Sequence, residues 1–203
     1  MEGTCPCRPG PLKATGSWSI CPGTPPMSLT TSTMSERVGP VNLSSPLVFH
    51  LANESETVQL GRWLAAQVRP GNLLLLQGTL GAGKSVLARS IVRSVVREPQ
   101  LEVPSPTFLL VLPYEGQGRQ VLHVDLYRLE DARELEELGL DDDEEAIVLI
   151  EWPERAPHLF EQADLVIRID LDAGATGRTF SLSAPPGSAL LDRLQASPFS
   201  PAP

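Results

Sequence analysis

The sequence predicts an α/β fold: a largely parallel sheet flanked by helices, with a C-terminal antiparallel hairpin. Three observations predict it. Strand-like segments alternate with segments of helical spacing through the middle of the chain. Two short apolar runs, Leu-Leu-Leu-Leu at 73–76 and Ile-Val-Leu-Ile at 147–150, have the pattern of strands buried on both faces. Near the end, two β-rich segments at 164–171 and 178–182 flank a polar stretch at 172–177, as a hairpin would.

The elements follow in order. Residues 46–52 are strand-like and lead into Asn53-Glu-Ser-Glu56, where Asn53 with Glu56 three positions on has capping-box character. Val58, Leu60, Leu64, Ala65 and Val68 then repeat at helical spacing up to Pro70. A strand over 72–77 sits between Gly71 and Gly78, and a helix is expected over 84–97. Residues 108–113 and 120–125 read as two strands about a Gly-containing turn at 115–119. A short helix over 132–138 would end at Gly139, and 146–152 is a further buried strand.

The ends differ from this body. Residues 1–46 hold eight prolines among abundant Ser, Thr and Gly, a composition that buries too little apolar surface to offset chain entropy. We expect a disordered extension there, a domain over 47–184, and a mostly disordered tail over 185–203 with a short helix near 189–194. All three cysteines, Cys5, Cys7 and Cys21, fall in the extension, where incidental thiols outweigh a metal site as the reading. The body has no Cys and hence no disulfide framework, which suits a reducing cytoplasm. Met27 and Met34 are alternative start points. No apolar run approaches the ~20 residues of a membrane helix. Residues 130–145 carry ten acids and one base, which alone accounts for the net charge of −9. That balance argues against a globally basic nucleic-acid binder and against a direct DNA role.

Chemistry concentrates in four places. Gly78-Thr-Leu-Gly-Ala-Gly-Lys-Ser85 matches G-x-x-x-x-G-K-[ST], preceded by a buried strand and followed by an amphipathic helix. Glycines let the backbone curl so that N–H groups converge on phosphate oxygens, and the helix N-terminus adds positive potential. Lys84 would reach the terminal phosphates and Ser85 would offer its hydroxyl to Mg²⁺. This loop makes the expected fold that of a P-loop NTPase. His123-Val-Asp-Leu-Tyr-Arg128 places His123, Asp125 and Tyr127 on one strand face, with Asp125 closing the strand near the loop. Ile-Val-Leu-Ile-Glu151 delivers a second carboxylate to the C-terminal end of a strand, the edge where ligands bind in open α/β sheets. As alternatives, Asp125 is a surface residue capping the following segment and Glu151 is merely exposed at a strand end. Trp152 beside it reads as a core or interface aromatic. Finally, Pro104-Ser-Pro-Thr-Phe108 is a stiff loop with Thr107 in the place of a phosphate sensor, or simply a rigid connector. Arg89, Arg93 and Arg97 share a helix face, read first as a solvated surface and second as a partner or RNA contact.

Together these segments resemble the TsaE (YjeE) family over 54–178. The elements appear in order: E-x-x-T from Glu54 to Thr57, the LGAGKS loop, S-P-T-F, H-x-D-L-Y-R, ELEELGL at 134–140, IEWPE, and Gly177-Arg178. The loop is common to many NTPases; the H-x-D-L-Y-R and IEWPE pair is far more specific. The resemblance implies a cytoplasmic, Mg²⁺-dependent ATPase needed for threonylcarbamoyladenosine beside the tRNA anticodon. It would act on a TsaB–TsaD transferase and meet tRNA indirectly, with no membrane role. By matching positions, Gly81, Ala82, Gly83, Lys84, Ser85 and Val86 would contact nucleotide, bordered by Glu54, Gly177 and Arg178. Ser85 and Glu151 would hold Mg²⁺, with Asp125 supporting metal or water. Lys84, Asp125, Glu151 and Thr107 form the expected catalytic set. Ser85 stands where the family usually has Thr, and the acidic run 141–145 is denser than the family pattern requires. Two rivals remain: a small-molecule kinase, and a nucleotide-gated binding protein without useful hydrolysis.

Overall fold

Seven strands make one sheet in the order β1-β7-β6-β2-β5-β4-β3. They are β1 (Leu47–Leu51), β2 (Leu73–Gly78), β3 (Val111–Gly116), β4 (Arg119–Asp125), β5 (Ile147–Glu151), β6 (Leu165–Leu171) and β7 (Arg178–Ser183). The computed structural model describes residues 43–130, 134–135, 139–140, 144–172, 177–197 and 199. The central β6, β2, β5 and β4 are mutually parallel. The pairs β6–β7, β7–β1 and β4–β3 are antiparallel, so the expected terminal hairpin is there and is extended by β1. Among the described residues no helix is long and apolar enough to cross a membrane.

The leucine run of β2 explains the layering. Leu74 and Leu76 are buried on one face with Val121, Ile147 and Leu149, under α1 (Glu54–Gln67) and α2 (Lys84–Val96). Leu75 points the other way and is buried with Val124, Leu126, Ile150, Ala156 and Leu159. A strand covered on both faces needs apolar side chains at successive positions, which is why this run does not alternate. The second face carries a 3-10 turn (Pro153–Arg155) and α3 (Leu159–Gln162).

Helix α1 begins where its cap predicts. Asn53 Oδ1 accepts from Glu56 N–H at 3.0 Å, and Glu56 Oε2 accepts from Ala52 N–H at 2.8 Å. Helix α1 lies close on α2: Ser90 Oγ donates to Val58 O at 2.7 Å, and a Cβ on Gly61 would fall 2.5 Å from Ser90 Oγ.

Three expectations shift. The strand expected over 108–113 runs over Val111–Gly116. Leu109 and Leu110 both donate their N–H to Pro106 O, at 3.0 and 2.7 Å, so the chain is still turning there and Leu110 has φ 62°. The Gly-containing turn contracts to Gln117 and Gly118, with φ 53° and 71°, the two-residue loop that suits strand twist. The tail beyond 184 contains α4 (Ala189–Ala196), whose Leu190, Leu191 and Leu194 are buried in the α1–α2 core. Trp63 Nε1 donates to Ser197 O at 2.7 Å, and Phe199 packs edge-on against Phe49. The packed unit therefore continues past the expected boundary, because the Leu spacing of α4 supplies an apolar face that α1 can cover. Most of the expected N-terminal extension, with its cysteines, lies outside the described residues, as do most of the expected 132–138 helix and of the acidic run 141–145.

Candidate functional site

β2 runs into the loop at Gly78, which has φ 147° and would place a Cβ 2.6 Å from Ile169 O, so glycine is required there. Gly81 and Gly83 also take positive φ, 78° and 110°. Gly83 caps α2 without a side-chain bond, and the first intrahelical bond is Leu87 N–H to Gly83 O at 3.1 Å. The N–H groups of Lys84, Ser85 and Val86 thus have no intrahelical acceptor and add to the positive helix end. That is an anion cradle.

Lys84 is buried. Its Nζ donates to Gly78 O at 2.8 Å and Thr79 O at 3.0 Å and lies 3.8 Å from the centre of the Trp152 ring. Burial pushes the ammonium below its usual value; Glu151, Glu154 and Asp125 pull the other way without cancelling it. Trp152 reaches this position because the chain leaves β5 with φ 59° at that residue, turning the ring toward the loop.

The two carboxylates sit side by side. Asp125 and Glu151 are register partners at the ends of adjacent parallel strands, and both are buried. Glu151 Oε2 accepts from Ser85 Oγ at 3.0 Å, and its Oε1 bonds His123 Nε2 at 2.9 Å. Asp125 Oδ2 accepts from Ser105 Oγ and Thr107 Oγ1, both at 2.7 Å, while Oδ1 accepts from Tyr127 N–H at 2.9 Å. The 104–108 loop is therefore tied to the second carboxylate through two hydroxyls.

A cleft of about 330 Å³ is lined by Gly81, Gly83, Lys84, Ser85, Val86, Thr107, Asp125, Glu151 and Arg178 among others. Ala82 is fully buried behind the loop, and its carbonyl accepts from Arg178 Nε at 2.7 Å. Besides Ala82, two expected residues, Glu54 and Gly177, are not in this lining. Glu54 borders the adjoining groove between α1 and α2. Gly177 lies in the hairpin, where a Cβ would meet Asp172 Oδ2 at 2.9 Å and Leu51 O at 3.1 Å. The arginine face of α2 is tethered: Arg89 Nε donates to Val103 O at 3.2 Å and Arg93 Nε to Leu101 O at 2.8 Å. Sequence reasoning missed Ser105 and gave no site role to His123 or Trp152. Ser105 belongs to the Pro-Ser-Pro-Thr-Phe segment, and the alternation of β4 puts His123 on the face of Asp125.

A hydroxyl and a carboxylate oxygen 3.0 Å apart, with a second carboxylate on the next strand, are hard oxygen donors and fit Mg²⁺. Among the described residues no three His, Cys, Asp or Glu gather into a metal cage. Mg²⁺ sites completed by phosphate and water need only one or two protein oxygens.

A phosphate cradle between a buried parallel strand and its following helix, with acids at the ends of the next two strands of the sheet, is the architecture of a P-loop NTPase. Comparison with known proteins narrows this. Residues 51–180 match the family model described as "Threonylcarbamoyl adenosine biosynthesis protein TsaE". The chain is 35% identical over 153 residues to the Rickettsia felis protein named tRNA threonylcarbamoyladenosine biosynthesis protein TsaE, covering 73% of this chain and 87% of that one. It is 39% identical over 123 residues to the Streptomyces coelicolor protein of the same name, covering 58% and 81%. The solved structure of Bacillus subtilis YdiB superposes with a TM-score of 0.57 at 24% identity, covering 76% of this chain and 97% of that one, which supports the fold. The chain belongs to the TsaE family.

Proposed function

We propose that this chain is the ATP-hydrolysing accessory protein of tRNA threonylcarbamoylation, acting on the TsaB–TsaD transferase that modifies the adenosine next to the anticodon. The observation that carries the ATPase reading is the Ser85–Glu151 contact of 3.0 Å at the mouth of the phosphate loop, with Asp125 in register beside it. Family membership supports the tRNA threonylcarbamoyladenosine role.

Phosphoryl transfer depends mainly on positioning and charge neutralisation. Here the N–H groups at 84–86 take the phosphates, and Lys84 exchanges the carbonyls of Gly78 and Thr79 for phosphate oxygen. Mg²⁺, when bound, would neutralise phosphate charge; Ser85 Oγ and Glu151 are the groups that would hold it. Asp125, fixed by Ser105, Thr107 and the Tyr127 N–H, orients the attacking water. Thr107 links that carboxylate to the 104–108 loop, which makes the loop responsive to an occupied site. Arg178 donates Nε to the loop carbonyl of Ala82. Arg178 lines the cleft, but that bond ties it to the loop backbone, so a finger, a group worth ~10³–10⁵ in rate where one is used, is left for the partner to supply. Hydrolysis by the chain alone is therefore slow and is stimulated by the transferase complex.

The test is phosphate release from ATP by the full chain, with and without purified TsaB–TsaD, using Glu151→Ala as control. Stimulation lost by at least about 10-fold in Glu151→Ala is expected. Equal rates with and without the complex would overturn the accessory role. A phosphorylated metabolite in place of free phosphate would identify a kinase.

A further inference from the structure

His123 has no part in the proposed hydrolysis, yet it is 0% exposed and bonded to Glu151, a residue of the cleft. It stands on β4 two residues before Asp125 and on the same face, with Leu149 of β5 as its register partner. Its surroundings are the apolar layer between the sheet and α2, where leucine or phenylalanine would pack without the cost of burying a polar ring. The imidazole makes one hydrogen bond, Nε2 to Glu151 Oε1 at 2.9 Å. Its Nδ1 has no partner among the described residues. A polar side chain that leaves half its capacity unused is not there to satisfy itself.

What the ring does satisfy is one oxygen of a buried carboxylate whose other oxygen accepts from Ser85 at 3.0 Å. The terminal torsion of a glutamate is soft and roughly two-fold, so a carboxylate held on one side only can turn. Held on both sides, it cannot. We propose that His123 is a positioning residue that locks the Glu151 carboxylate with Oε2 toward Ser85 and the phosphate loop. This assignment rests on the ATPase reading. His123 is not among the residues that line the cleft; it acts through Glu151, as outer-shell partners of metal-binding side chains do.

Two amides separate positioning from packing. Gln places its side-chain nitrogen three bonds from Cβ, where the histidine Nε2 lies; Asn places it two bonds away, where Nδ1 lies. Both are polar and smaller than the ring. The full chain, His123→Gln and His123→Asn are compared in binding of a fluorescent ADP analogue, without Mg²⁺ and across a Mg²⁺ titration, with melting temperatures recorded. His123→Asn is expected to raise the Mg²⁺ concentration at half-effect about 10-fold, with metal-free ADP affinity unchanged. His123→Gln is expected to restore most of the wild-type response. Wild-type Mg²⁺ dependence in His123→Asn would overturn the assignment, as would an equal loss of ADP affinity with and without Mg²⁺, the mark of a packing residue. If His123→Asn does not fold, His123→Gln decides alone: a 10-fold Mg²⁺ shift in that variant overturns the proposal. A wild-type chain that neither releases phosphate nor binds nucleotide with Mg²⁺ would sink the ATPase reading and this assignment with it; an active wild type matched by both variants sinks this assignment alone.

Discussion

Lys84 shows how one buried charge couples stability to function. Its ammonium is stripped of water, compensated by two carbonyls and the Trp152 face, and held below its usual value of 10.5 mainly by burial. Between its folded value and 10.5 the unfolded chain still holds the proton that the folded chain has released. Stability in that window rises with pH. In nucleotide-free, Mg²⁺-free protein, the wild type is expected to gain stability relative to Lys84→Met as pH rises toward 10.5, read by chemical denaturation at each pH. A difference that stays flat would mean that the ammonium is not desolvated. Lys84, Ser85, Asp125 and Glu151 were legible in the sequence because each is fixed by a local pattern: a loop motif or the last residue of a strand. The bonds of Asp125 to Ser105 and of Glu151 to His123 span 20 and 28 positions, and no local pattern carries them.

At the scale of elements, the phosphate loop depends on how α2 is held. Its helix is anchored to α1 through Ser90, and Gly61 lets the two backbones approach. Gly61→Ala sets two effects against each other. Alanine gains about 1 kcal/mol in helix propensity. Its methyl would fall 2.5 Å from both Ser90 Cβ and Ser90 Oγ and 3.3 Å from Leu87 O. Such overpacking typically costs about 1–3 kcal/mol, so the net expectation is a loss of up to about 2 kcal/mol in urea melts. A gain in stability would show that α1 and α2 separate freely. The helices were legible from their caps and apolar spacing: Asn53 opens α1 as its side chain predicts. The start of β3 was not. Phe108-Leu-Leu-Val reads as strand, but bonds to Pro106 O keep Leu109 and Leu110 in a turn, leaving Phe108 80% exposed with Arg128 stacked 4.3 Å from its ring centre.

At the scale of the whole molecule, the ends differ in what they contribute. The family match begins at residue 51, and residues 1–42 are rich in Pro, Ser, Thr and Gly. A chain starting at residue 43 is expected to keep the melting temperature and phosphate release of the full chain; loss of either would assign the extension a working role. A chain ending at 184 is expected to lose at least about 3 kcal/mol in the same urea melts, because Leu190, Leu191 and Leu194 leave the core. Unchanged stability would show that α4 is dispensable. The sequence by itself determined the α/β class, the phosphate loop and the two carboxylate strands, because short-range spacing encodes buried strands, helix faces and glycine-dependent turns. Only the tertiary structure decided that β1 joins the terminal hairpin, that α4 belongs to the core, and that Ser85, His123 and Glu151 form one hydrogen-bonded chain. Those contacts depend on strand order and on which face meets which. These follow from how the whole chain buries its apolar surface, not from any one segment.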